Sequence, residues 1–411
     1  MKIAFIVGEF PALSETFILN QITGLIDRGH EVDIFASGKR NDPKVHPDVE
    51  KYDLLSRTYY RHMPTNKVWR VIKALGLIVI NFYKNPIAIL KSLNIFKYGK
   101  KALSLELLYA TIPFLDKGPY DIVHCHFGPN GNLGVVLREI GAFKAKIITS
   151  FHGYDVNVIN NRAFYTQLFR QGDLFTANTD FTKRRIVELG GTPEKIVKLP
   201  VGLSLSKFPF KERVLQPGAA VIILTVARLV EKKGLEYSIR AVAQVIKRHP
   251  DWNLKYKIAG DGPLKHKLES LISELDVKDK IELVGSCHQE EIKDLYQEAH
   301  IFVLASVTAQ SGDREGQALV LQEAQAAGLP VIATLHNGIP EGVLNGKSGF
   351  LVPERDVDAL AERLEYLIEH PEIWPEMGRA GRKFVEEHYN IDKLNDRLVE
   401  IYKKLLNGEI P

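Results

Sequence analysis

Short apolar runs alternate with amphipathic stretches along most of this chain. Residues 3–7 form a continuous apolar run ending in Gly8, the pattern of a central parallel strand covered on both faces. Phe17, Ile18, Ile22, Leu25 and Ile26 then fall on one helical stripe, closed by Gly29. Ser14 can cap that helix, with Glu15 favourably placed near its positive end. A second strand is expected at 31–36, and others at 121–127, 146–151, 173–178 and 195–199, with helical stretches between them. Residues 204–219, with Phe208-Pro209-Phe210 and Gln216-Pro217-Gly218 around a charged triplet, read as an interdomain linker. A second series follows, with strands at 221–227, 254–259, 280–284, 301–304 and 331–334. Its helices are expected at 234–248, 264–275, 289–299, 316–327 and 357–369.

Repeated βαβ units mean parallel sheets with helices on both faces. The fold class is therefore α/β, two doubly wound Rossmann-like domains in tandem, with a cleft facing the strand C-terminal ends. No G-x-G-x-x-G follows the first strand, which weakens a nicotinamide or flavin reading.

Composition changes this picture little. The 411 residues fit about two domains, and 45% apolar with 25% charged residues is ordinary for a globular protein. A net charge of +4 gives no sign of a nucleic-acid partner. Two cysteines exclude a disulfide framework and point to a reducing compartment. With neither a signal-peptide core nor an apolar run of 18 residues, the expected location is the cytoplasm.

The candidate chemistry is concentrated in the second series. Glu315 falls at a strand-to-helix turn, where Gly316 permits close approach of backbone amides to an anion. Glu323 lies two helical turns further on, and its carboxylate can accept two hydrogen bonds from a vicinal diol. Arg228 ends a strand, and Lys233 stands before Gly234 at a helix start. Two such cations and free N–H groups suit a diphosphate, each charge-assisted hydrogen bond being worth roughly 1.5–3 kcal/mol. In the first series His152 closes a strand beside Gly153, and Asp155 can cap the following turn. His124 and His126 share a strand face, but no third ligand follows at a useful spacing, so a structural role is expected.

Glu315 and Glu323 with the blocks Ala326-Ala327-Gly328-Leu329-Pro330-Val331-Ile332-Ala333-Thr334, Asn337-Gly338-Ile339-Pro340-Glu341 and Gly346-Lys347-Ser348-Gly349-Phe350-Leu351-Val352-Pro353 closely resemble the donor half of the family 4 retaining glycosyltransferases of GT-B fold. Gly260-Asp261-Gly262-Pro263 and Gly285-Ser286-Cys287-His288 match further blocks. The loop 8–17 and Ser306-Val307-Thr308 are similar to the colanic-acid type of exopolysaccharide enzyme. The resemblance implies a nucleotide-diphosphate sugar as donor, UDP-sugar before GDP-sugar, and no cofactor. It places Arg228 and Lys233 on the diphosphate and Glu323 on the ribose. Glu315 and the amides of Gly316, Gln317, Ala318 and Leu319 fall on the sugar, and His152 at the reacting centre. It divides the chain into an acceptor-side domain (1–204), a donor domain (205–390) and a helix crossing back (391–411). Ser204 departs from the family's usual Asp. With two cations on the phosphates and no Asp-x-Asp in the donor-side loops, no metal is expected. A nucleotide-sugar epimerase of the same fold and a non-catalytic nucleotide- or sugar-binding protein are the competing readings.

One feature owes nothing to family. Residues 54–105 contain no Asp or Glu but ten Lys and Arg, interleaved with apolar residues from Val68 to Phe96. Helices apolar on one side and basic on the other suit an anionic lipid surface. The expected partner is the inner face of the plasma membrane, with a lipid-linked saccharide as acceptor. The alternative is that the apolar side packs on its own domain.

Overall fold

The computed structural model describes residues 1–12, 15–40 and 45–410. Ser14, expected to cap the first helix, lies outside them. The chain divides into two units. One comprises 1–177, 183–199 and 395–411; the other comprises 178–182 and 200–394.

In the first unit, β1 (Lys2–Glu9), β2 (Glu31–Gly38), β3 (Thr58–Tyr60), β4 (Ile122–His126), β5 (Lys146–Phe151), β6 (Leu174–Ala177) and β7 (Ile196–Lys198) form one sheet. Their order is β3-β2-β1-β4-β5-β6-β7, and every pair is parallel. The central strands are buried along nearly their whole length, as continuous apolar runs require. β3 is absent from the expected strands because Thr58-Tyr59-Tyr60 carries no aliphatic run to mark it.

In the second unit, β8 (Val221–Val226), β9 (Leu254–Ala259), β10 (Ile281–Gly285), β11 (Ile301–Leu304), β12 (Val331–Thr334) and β13 (Gly349–Val352) are ordered β10-β9-β8-β11-β12-β13, again all parallel. The order reverses between β8 and β11. Loops leaving the C-terminal ends of those two strands flank the switch point, where doubly wound sheets bind ligands.

Three expectations need correction. The helix placed at 316–327 runs only Leu319–Ala326. Ala318 is left-handed, with φ 59°, and Gln317 is drawn out of helical register by its side chain, which bonds both polar backbone atoms of Val201. Residues 204–219 are not a free linker: Arg213 is 2% exposed and donates to the carbonyls of Gln297 and Ala327. Carbonyls near helix C-termini lack intrahelical partners, and one buried guanidinium satisfies two of them. The Trp374–His388 helix was also missed, although Trp374 and Val385 are fully buried. Among the described residues no helix is long and apolar enough to cross a membrane.

Candidate active site

The loop after β8 and the loop after β11 are zipped together. The Val307 amide donates to the Lys232 carbonyl at 2.9 Å, and the Gln310 amide to the Glu231 carboxylate at 2.9 Å. Buried Lys232 reaches Asp313 at 3.2 Å. Gly234 makes this approach possible: its φ is +62°, and a Cβ there would stand 1.8 Å from the Ala305 carbonyl oxygen. A third loop joins at Gly260, where a Cβ would stand 1.9 Å from the Ala227 oxygen. Both glycines are thus required by contact between loops as well as by their positive φ.

Within this framework Lys233 is ion-paired with Glu315. Burial alone would raise the Glu315 carboxyl, but Lys233 and Lys232 outweigh it and hold the pKa below the ordinary value. Arg228 behaves differently. It is exposed at the end of β8 and has no side-chain partner among the described residues, so its guanidinium is available to an anion. Glu323 sits half-buried, with its Oε2 accepting from the Tyr296 hydroxyl at 2.9 Å. Burial pushes its pKa up to about 6. One oxygen is therefore already engaged, which leaves Oε1 for an incoming hydroxyl. The Gln317 side chain is committed to Val201, so only the backbone of Gln317 is offered to a ligand.

A support behind Glu315 escaped the sequence reading. The Glu315 amide donates to Nε2 of His336 at 3.1 Å, and Asn337 donates to the Glu315 carbonyl at 3.2 Å. The other nitrogen of His336 meets Glu354 at 2.5 Å, and Glu354 also accepts from the Thr308 amide. His336 is fully buried, and burial lowers its pKa despite the carboxylate. His336 and Glu354 border two blocks singled out in the sequence, which was the available signal. The chain's one Asp-x-Asp, Asp356-Val357-Asp358, starts the Val357–Glu369 helix, where Asp356 accepts from the Ala359 amide.

Residues 14–207 match the model of Glycosyltransferase Family 4, and residues 207–384 match that of Glycosyl transferases group 1. The putative colanic acid biosynthesis glycosyltransferase WcaL of Salmonella typhimurium is 37% identical, over 98% of this chain and 100% of that one. This chain belongs to the family 4 glycosyltransferases. The amylovoran biosynthesis glycosyltransferase AmsK of Erwinia amylovora is 36% identical over the same shares. Anabaena HepE, solved with UDP and glucose, shares the GT-B fold at TM-score 0.70 and 16% identity, over 98% of this chain and 100% of that one.

The first unit of this family 4 glycosyltransferase carries a histidine stack at the C-terminal ends of β4 and β5. His124, His126 and His152 lie ring on ring, 4.7 and 5.2 Å apart, and Nδ1 of His126 meets Nε2 of His152 at 3.0 Å. His124 and His126 are buried. His124 is held by Tyr402 at 2.5 Å and Ser150 at 2.7 Å, consistent with the structural role expected of it. The ring of Phe17 lies 4.7 Å from that of His152. Burial lowers the pKa of all three histidines, to about 3 for His124 and His152, so each is neutral near pH 7. The Asp155 carboxylate bonds amides at the start of the following turn, as expected, and reaches beyond it. It is buried within the Tyr154–Val158 helix and accepts from the amides of His152 and Gly128, tying the two loops together. Among the described residues no group of three His, Cys, Asp or Glu side chains could hold a metal.

The segment 54–105 is also revised. Among the described residues, 14 of the 26 exposed large apolar side chains lie between Val68 and Leu103, including Trp69, Leu75, Val79, Ile80 and Phe96. Part of the apolar side does pack on its own domain: Ala74, Ala88, Ile89 and Ala102 are buried, and Leu77, Ile78, Leu93 and Tyr98 pack against the same core, while the remainder stays exposed. The basic side is less free than its composition implied. Arg61, Lys84 and Lys97 pair with Glu106, Asp116 and Glu139, all beyond the segment.

Proposed function

We propose that this glycosyltransferase moves a sugar, with retention of anomeric configuration and without a metal, from a nucleotide-diphosphate donor to a saccharide acceptor in exopolysaccharide synthesis. The observation that carries the reading is the Arg228 guanidinium, without a side-chain partner among the described residues, in the same loop after β8 that supplies the Lys233 of the Lys233–Glu315 pair, at the switch point of the second sheet. In this reading Arg228 and Lys233 stabilise the charge that grows on the leaving diphosphate. Glu323 takes the ribose through Oε1. Glu315 and the amides of Gly316, Gln317, Ala318 and Leu319 hold the sugar. His152, neutral, acts at the reacting centre. The names of the relatives in colanic acid and amylovoran synthesis support the pathway class. UDP-sugars come first and GDP-sugars second.

The acceptor in this proposal is a lipid-linked saccharide, met by a peripheral enzyme on the inner membrane face. The exposed apolar ridge supports this, fringed by Lys67, Lys91, Lys100 and Lys101 with no acidic residue in the segment. A bilayer suits this ridge better than a second copy of the chain, because self-association would set one lysine fringe against its twin.

The test is a melting screen against UDP-, GDP- and ADP-sugars, followed by transfer to an acceptor with the product anomer read by NMR. A stabilising donor, a retained anomer and activity in chelator support the reading. An inverted anomer, or a strict need for Mg²⁺ or Mn²⁺, overturns the mechanism, and conversion of donor without acceptor favours the epimerase.

A further inference from the structure

Beneath the Lys67–Asn81 helix, at the C-terminal end of β3, the first unit contains an open cavity of about 360 Å³, a size typical of small-molecule sites, which span roughly 300–1,000 Å³. Arg61, Lys73, Lys84 and Lys117 all contribute to its wall, and among the described residues no carboxylate does. Arg61 and Lys84 are ion-paired with Glu106 and Asp116. Lys73 and Lys117 have no carboxylate partner among the described residues. Lys73 donates to the His62 carbonyl at 2.9 Å, and Lys117 lies 4.6 Å from the centre of the Tyr59 ring. Four cations against two carboxylates leave the cavity with net positive charge, and charge-assisted hydrogen bonds to an anion are roughly twice as strong as neutral ones.

Position selects the kind of anion. Lys73 and Leu77, one turn apart, face the cavity. Leu75 and Val79, each two residues on, fall on the opposite side of the same helix and are 60% and 78% exposed. One helix width, about 10 Å, therefore separates the cavity from the apolar ridge. An amphipathic helix lying in a membrane interface sits roughly 5–10 Å into the boundary between head groups and acyl chains. A cavity on its inner side is then level with lipid phosphates.

We propose that this cavity binds the phosphate of a lipid head group, with Lys73 and Lys117 as its principal ligands. The proposal rests on membrane attachment for the source of the phosphate, and on the cavity alone for the chemistry.

The experiment uses the intact protein and monomeric dihexanoyl phosphatidic acid, with inorganic phosphate in parallel, by calorimetry. Lys73→Gln/Lys117→Gln should weaken binding of the lipid phosphate at least tenfold, while Lys73→Arg/Lys117→Arg retains it. Lys91→Gln/Lys100→Gln, which removes equal charge outside the cavity, and Arg228→Ala, which cripples the donor site, should leave it within twofold. Equal weakening by both Gln pairs would show a general charge effect and overturn the site. Loss in Arg228→Ala would move the probe to the donor site and overturn it too. Inorganic phosphate binding as tightly as the lipid would overturn the lipid source. Flotation with vesicles, read separately on variants of the apolar ridge, tests attachment independently. A protein that floats but shows no loss in Lys73→Gln/Lys117→Gln keeps the membrane reading and loses this one.

Discussion

The ammonium of Lys233 is ion-paired with the carboxylate of Glu315, both side chains being largely shielded from solvent. A cation assigned to the donor diphosphate is thus already neutralised, whereas Arg228 is not. The two cations should behave differently when removed. Both Arg228→Ala and Lys233→Ala are expected to lower turnover by about 10²–10³. Only Lys233→Ala should also destabilise the protein, by about 3 kcal/mol, because it leaves a buried carboxylate unpaired. Adding Glu315→Ala should recover much of that stability without recovering activity. Melting temperatures with single-turnover rates check this. Near-normal kcat in Arg228→Ala would remove it from the diphosphate site.

Glu323 gives a pH-dependent signature. Its folded pKa, raised to about 6 by burial, exceeds its unfolded value. The native state therefore binds more protons than the unfolded chain between about pH 4.5 and 6, and stability from this group is lost as pH rises through that window. Glu323→Gln keeps an acceptor for Tyr296 and should be as stable as the parent or more so at pH 7.5, by at most about 2 kcal/mol. The difference should close near pH 4.5, and nucleotide affinity should fall. A variant less stable at pH 7.5 than at pH 4.5, each relative to the parent, contradicts this.

His152 should be uncharged throughout the working range, because burial lowers its pKa to about 3. The kcat profile should then lack a limb near pH 6.5 that disappears in His152→Ala. That variant should lose most of its turnover and still melt cooperatively. A lost limb would show that a protonated His152 takes part.

Among the described residues Glu354 reaches the site through His336 and the Thr308 amide, so it is a positioning residue. Glu354→Gln should lower kcat about 10- to 100-fold, as small misplacements do, with donor affinity little changed. Glu354→Asp should recover less than tenfold of the loss, being too short to reach His336. A purely structural role would lower melting temperature and leave the kcat of the folded fraction intact.

Membrane attachment should depend more on the apolar ridge than on lysines already paired. Trp69→Ser/Leu75→Ser/Val79→Ser should abolish flotation with anionic vesicles. Lys84→Gln/Lys97→Gln should change it little, since Asp116 and Glu139 already offset those charges. The reverse order would mean that electrostatics dominates.

The amino-acid sequence was enough to read the two parallel sheets apart from β3 and β13, because their central strands are buried on both faces and appear as apolar runs at regular spacing. It also determined where Arg228, Lys233, Glu315, Glu323 and His152 stand relative to strand ends, since strand and helix periods are local properties. Tertiary structure decided what those residues touch. His336 and Glu354 support Glu315 from separate loops, and Tyr296 reaches Glu323 across 27 residues. Arg213 is buried in what reads as a polar linker because two helix ends bring carbonyls to it. The direction of the apolar ridge was likewise undetermined. Periodicity shows that a helix has an apolar side, but only the packing shows that Ala74, Leu77, Ile78, Ala88 and Ile89 turn inward while Trp69, Leu75, Val79, Ile80 and Phe96 stay exposed.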